Sequence, residues 1–313
     1  MSVLGIPRVA AAAATGAQGL VSLAEVRLAR EKRAAFPDLP SDIHGITVPT
    51  SVAPARAVVY RPAASVRNPP VHVNFHGGGF ILPGIWLDDP LCRLLAAEAG
   101  VVVVNVDYVL APRHPFPSPP RQAFEVVRWV AEHGAEHGWD GTRLTIGGQS
   151  AGGGIAAAVA RQALERGGPE ITLQALLYPV LDLTLPMSEK PSAIDRPMLR
   201  PWMGEVFDNS YVPDPAVRAD RLASPAGPAD TEDLTGIAPA FLITPEYDLL
   251  RAEGQRYARR LRDVGALAEH CDVPGADHGF DVRDLELARA IYALIADHLT
   301  QADAPRATSA GRG

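Results

Sequence analysis

Cysteine is almost absent from this chain. Cys92 and Cys271 are the only two in 313 residues. That is too few for a disulfide framework or a Cys-rich metal cluster, and each reads as a small buried apolar side chain. An excess of positive charge is missing too: 29 Lys and Arg stand against 36 Asp and Glu, a net charge of -7. Without a basic patch, nucleic acid is not an expected partner. The glycine loop at residues 77–79 is followed by no Lys-Ser/Thr pair and fits no G-x-G-x-x-G pattern, so a phosphate-bearing cofactor is not expected, nor is a metal. No run reads as long and apolar enough to span a bilayer. Residues 9–23 are Ala-rich, but only Arg8 precedes them. They continue into a stretch where Leu23, Val26 and Leu28 oppose Glu25, Arg27, Arg30 and Glu31. That pattern predicts an amphipathic helix over residues 5–35 that stays in the mature protein, with no membrane partner and a cytoplasmic location by default.

What the chain does have is length and regular alternation. Hydrophobic residues make up 47% of it, enough for one large α/β domain with insertions. Residues 45–49 and 55–60 read as a hairpin, and a Pro-rich loop then leads to the apolar run Val71–Phe75. Pro90 to Gly100 reads as a helix stopped by its glycine, Val101 to Val106 as a fully buried strand, and Pro119 to Glu132 as a helix. Further strands are expected at Leu144–Gly147, Leu173–Tyr178, Ala240–Thr244 and Ala268–Val273. Strands alternating with helices predict a mostly parallel, doubly wound sheet. The tail beyond Asp303 is polar and Gly-rich, and is expected to be disordered.

Chemistry enters at Gly148-Gln149-Ser150-Ala151-Gly152. It sits between a predicted strand and the Ala-rich segment Gly153–Ala160, the context of a nucleophile elbow: a tight turn presents a serine at the positive end of the next helix. Glycines flank such a turn because it forces unusual dihedrals and brings two backbones close. A second Gly-rich turn, His76-Gly77-Gly78-Gly79-Phe80, follows the strand at Val71–Phe75. Its bare N–H groups suit the oxygen that becomes negative in acyl transfer. Gly78, Gly79 and Ala151 are the expected donors. Gly77 shapes the turn, and His76 hydrogen-bonds locally. Two later strand ends supply an acid and a base: Glu246-Tyr247-Asp248 and Asp277-His278-Gly279-Phe280. The order Ser, acid, His makes Ser150, Asp248 and His278 a candidate triad, with Glu246 and Asp277 competing for the acid's place. His133 and His137 read as a solvated helix end.

These blocks, with Asp107–Pro112, His114–Pro117 and Tyr178-Pro179, resemble the hormone-sensitive lipase family, the bacterial family IV carboxylesterases, from about residue 45 to 300. The resemblance implies an α/β-hydrolase fold with a mostly parallel eight-stranded sheet flanked by helices. It also implies hydrolysis of short- to medium-chain esters through an acyl-enzyme, with a small-molecule ester as partner, and is compatible with a homodimer. The chain departs from the family at Gln149, where an acid is usual, at Leu249 for a proline, at Ala252 for an aspartate and at Arg113 for a glutamate. The family also implies a helical cap, which divides the chain into segments 1–44 and 186–222 (cap), 45–185 and 223–302 (core) and 303–313 (tail). Prolines, Met187, Met198, Met203, Trp202, Phe207 and Tyr211 fill the insertion and predict short helices with an adaptable apolar wall. Phe80, Trp86, Gln149, Trp202, Met203 and Phe207 are therefore the candidate pocket residues. On the same scaffold, elimination, cyclisation or specialised deacylation in a biosynthetic pathway is the alternative. A non-catalytic receptor is disfavoured by the presence of His278.

Overall fold

The computed structural model describes residues 2–40 and 42–303, so the tail beyond Asp303 lies outside the described residues. Short apolar runs bounded by Gly and Pro form its eight strands: β1 (Ile43–Val48), β2 (Ala55–Tyr60), β3 (Pro70–Phe75), β4 (Val102–Asp107), β5 (Asp140–Gln149), β6 (Ile171–Leu177), β7 (Ala240–Pro245) and β8 (Leu267–Val273). They form one sheet in the order β1-β2-β4-β3-β5-β6-β7-β8. The β1–β2 and β2–β4 pairs are antiparallel, as the expected hairpin requires, and every later pair is parallel.

Helices cover both faces, which explains why the central strands read as continuous apolar runs. Registration places Val59, Val104, Val73 and Ile146 in one row across four strands. That row packs with α3 (Ser118–Glu132), α5 (Ala151–Arg166) and α7 (Arg251–Asp263). The alternate positions Val103, Ala175, Phe241 and Ile243 face α2 (Asp89–Glu98) and α8 (Leu285–Asp303). Gly100, at φ +67°, ends α2 in the left-handed region that glycine adopts freely.

The N-terminal helix α1 (Pro7–Arg33) differs from expectation. It buries only Ala10 and Ala14 fully, while Leu23 is 87% and Val26 85% exposed. Small alanines make the seam because α1 lies close against α6 (Pro201–Tyr211); the larger apolar side chains are left outside. Contrary to the sequence reading, α1 is long and apolar enough to cross a membrane by length and composition. Its far end is pinned by Arg93, a buried side chain of α2. Arg93 pairs with Asp89 at 2.8 Å and donates to the carbonyls of Arg33 and Phe36 at 2.9 and 2.7 Å. Midway, Gln18 donates to the carbonyls of Ile81 and Ala111 at 2.6 and 2.8 Å, tying α1 to the segment after the glycine loop.

Two smaller expectations also change. His133 and His137 are half-buried and not simply solvated: they stack on Trp129 and Trp139, with ring centres 4.7 and 5.0 Å apart, around the short α4 (Gly134–His137). Cys92 is buried as expected, but Cys271 is only half-buried on β8, at the sheet's edge.

Candidate active site

The serine turn is built from backbone constraints. Ser150 joins β5 to α5 with φ +52°, a strained conformation for a residue with a Cβ. Three hydrogen bonds hold it there. Its N–H donates to the Leu177 carbonyl at 2.9 Å, and its own carbonyl accepts from Gly154 and Val180 at 3.1 and 3.0 Å. The flanking glycines are steric necessities. A Cβ on Gly152 would overlap the Phe75 carbonyl, and one on Gly153 would come within 2.8 Å of Pro179.

The glycine loop lies alongside this turn. A Cβ added to Gly77 would meet the Ser150 Cβ at 3.7 Å, so the two turns touch. Gly78 (φ +124°) and Gly79 (φ +61°) take left-handed conformations, and among the described residues neither N–H donates to a protein acceptor. Ala151, the first residue of α5, likewise has no intrahelical partner for its N–H. His76 closes the loop as expected: Nδ1 lies 2.6 Å from the Gly77 carbonyl, the ring stacks on Tyr108, and burial pulls its pKa down so that it stays neutral.

His278, on the loop after β8, brings the site together. Its Nε2 lies 2.9 Å from Ser150 Oγ and its Nδ1 2.8 Å from Asp248 Oδ2. A carboxylate only accepts, so Nδ1 carries the hydrogen and the Nε2 lone pair faces the serine hydroxyl. The other Asp248 oxygen accepts from the Leu250 N–H at 2.9 Å. Burial lowers the His278 pKa, but the charge and hydrogen bond of Asp248, with Asp281 and Asp277, more than offset it and raise it above the ordinary value of 6.5. The rival acids are engaged elsewhere: Glu246 accepts from the Gly275 N–H at 2.7 Å, and Asp277 from the Met198 and His278 N–H groups at 2.6 and 2.7 Å.

Comparison with known proteins agrees with this geometry. A family model described as the alpha/beta hydrolase fold matches residues 72–282. The carboxylesterase NlhH of Mycobacterium tuberculosis (strain CDC 1551 / Oshkosh) is 38% identical over 224 residues, covering 71% of this chain and 70% of that protein. The ethyl acetate hydrolase of Pseudomonas putida is 32% identical over 249 residues, or 78% of this chain and 76% of that one. Among solved structures, the hyperthermophilic esterase from the archaeon Pyrobaculum calidifontis superposes with a TM-score of 0.80 at 34% identity, covering 90% of this chain and 91% of that one. The chain belongs to the hormone-sensitive-lipase-like carboxylic ester hydrolases of the α/β-hydrolase fold.

The pocket candidates of this hydrolase separate in the structure. The Phe207 ring, on α6, packs against Gly79, since a Cβ there would come within 2.7 Å of it. Met203 joins Leu249, Leu250, Met187 and Leu199 in a small apolar cluster beside Asp248; Leu249, in place of the family's proline, is part of that packing. Phe80 is buried and stacks on Tyr211 with ring centres 3.9 Å apart. Trp86 is half-buried, with an indole N–H that finds no protein partner. Trp202 lies on the exposed side of α6. It is 57% exposed, because the inward face of α6 is made by Gly204, Val206 and Ser210. Gln149 is buried next to Ser150, with its Oε1 3.3 Å from the Tyr178 hydroxyl.

Sequence reasoning missed the groups around Gln149. Tyr178 ends β6 at φ +37°, and its ring lies 4.7 Å from the His278 ring. Its hydroxyl and that of Tyr292 on α8 each donate to Asp281 at 2.6 Å. The signals in the sequence were the Tyr178-Pro179 block, to which no role was given, and an acid three residues after His278.

Proposed function

We propose that Ser150, His278 and Asp248 carry out the ester hydrolysis of this enzyme through an acyl-enzyme. The observation that carries this reading is the unbroken hydrogen-bonded chain from serine hydroxyl through imidazole to buried carboxylate. Ser150 Oγ attacks the ester carbonyl as His278 Nε2 takes its proton. Asp248 holds the ring and stabilises the imidazolium. The carbonyl oxygen becomes negative against the N–H groups of Gly78, Gly79 and Ala151; each such donor is worth about 3–4 kcal/mol in the transition state. The imidazolium then returns its proton to the leaving alcohol. Water repeats the sequence on the acyl-enzyme and releases the acid. His278 works only when neutral, so turnover falls as pH drops through its raised pKa.

The substrate class is a small ester with a short to medium acyl chain, bound under a cap made by α1 and α6. Supporting this are the seat of α6 on α1, the Phe207 ring against the oxyanion loop, and the apolar cluster around Met203 beside Asp248. A fluorophosphonate probe should label Ser150 rapidly. On p-nitrophenyl acyl esters Ser150→Ala should lose at least about a thousandfold in kcat. A variant with near-normal turnover, or labelling of the native enzyme without ester turnover, would overturn the reading.

A further inference from the structure

The family resemblance calls for an acid immediately before the nucleophile, and this chain has the neutral Gln149. A carboxyl group nevertheless stands close by. Asp281 is buried on the turn that follows His278, and both its oxygens are occupied: Oδ1 by the Tyr178 hydroxyl, Oδ2 by that of Tyr292, each at 2.6 Å. An oxygen pair accepting from two hydroxyls needs no proton of its own. Tyr178 links the pieces, with its hydroxyl also 3.3 Å from Gln149 Oε1 and its ring tilted against His278.

We propose that Asp281, clamped by Tyr178 and Tyr292, is a positioning residue for His278 and supplies the buried carboxylate that Gln149 leaves out. This rests on the role given to His278 above. The clamp joins three elements: the end of β6, the His278 loop and α8. The loop carrying the base therefore cannot shift without breaking a charge-assisted hydrogen bond. It also adds negative charge near the imidazole.

The groups facing His278 fix the expected sign. Asp248 faces it from the turn after β7, Asp277 from its own loop, and Asp281 from the turn beyond, and all three favour the imidazolium. Asp88, at the start of α2, faces Asp281 in turn. Burial pushes its pKa up to about 8 despite a 2.7 Å hydrogen bond from Asn74, so at neutral pH it is largely uncharged. Lys32 on α1 faces Asp88 only weakly. Gln149 fits this arrangement because an acid there would be a further carboxyl group in the same buried volume, and like charges without water repel strongly.

The test compares pH profiles of kcat/KM for the full-length enzyme and its Asp281→Asn, Gln149→Asp and double variants, with Ser150→Ala as control. Asp281→Asn should move the acidic limb to lower pH by about half a unit. It should also lower kcat by about tenfold or more with KM nearly unchanged. Gln149→Asp should move the limb up. The double variant should return it towards the native position and recover kcat, a rescue that a merely structural Asp281 cannot produce. Should Asp281→Asn not fold, the double variant must still show a lower limb than Gln149→Asp alone. Limbs that coincide, or a double variant no better than its worse parent, would overturn the proposal. If Ser150→Ala itself kept its turnover, the catalytic assignment would fall instead.

Discussion

The turn carrying Ser150 and the helical layer of α1 and α6 are held in opposite ways. At the turn, main chain meets main chain: β5, α5, β3 and the glycine loop approach so closely that Gly152 has no room for a methyl group. In the layer above, α1 touches the body through alanines, one glutamine and the buried Arg93, and leaves Leu20, Leu23 and Val26 in solvent. The difference teaches where tolerance lies. Catalysis needs fixed distances, which backbone packing supplies, whereas an apolar substrate needs a wall that can adapt.

Substitutions can break this contrast. The largest effect after loss of the nucleophile itself is expected at Gly152→Ala. The new Cβ meets a central strand's carbonyl, which has no room to retreat. Denaturant unfolding should report a loss of about 3 kcal/mol or more, or no folded protein. A soluble variant of native stability would show the turn to be softer than described. Phe207→Ala, in the layer, should cost about 1 kcal/mol or less in stability, since the ring is half-buried. It should nonetheless change kcat/KM across an acyl-chain series by about tenfold, favouring longer chains. An unchanged chain-length profile would remove Phe207 from the pocket wall. Smallest of all, Leu23→Ser should alter stability by less than about 0.5 kcal/mol. A larger loss would mean that α1 buries its apolar face against something the isolated chain does not provide.

Legibility followed the same division. The elbow, the glycine loop and the His278 turn were readable because each needs special residues at fixed spacing: glycine where backbones collide, serine and histidine where protons move. The choice of Asp248 over Glu246 and Asp277 rested in the sequence only on its place just past a strand end. All three sit near strand ends, and only the path of the loops decides which carboxylate reaches Nδ1. The exposure of Trp202 could not be foreseen because composition does not give the rotation of a helix of 11 residues. On α1, the amphipathic pattern did not tell which face meets the body: Leu23 and Val26 are exposed and the alanines Ala10 and Ala14 are buried.

By itself the sequence determined the alternation of strands and helices, the two glycine turns and the candidate nucleophile and base, since these follow from local sterics and local chemistry. The tertiary structure alone decided that Asp248, and neither Glu246 nor Asp277, reaches His278 Nδ1, which residues of α1 and α6 are buried, and how Asp281 meets Tyr178 and Tyr292. Those depend on contacts between residues far apart in the chain. Period and composition constrain such contacts weakly, and the packing of the whole domain settles them.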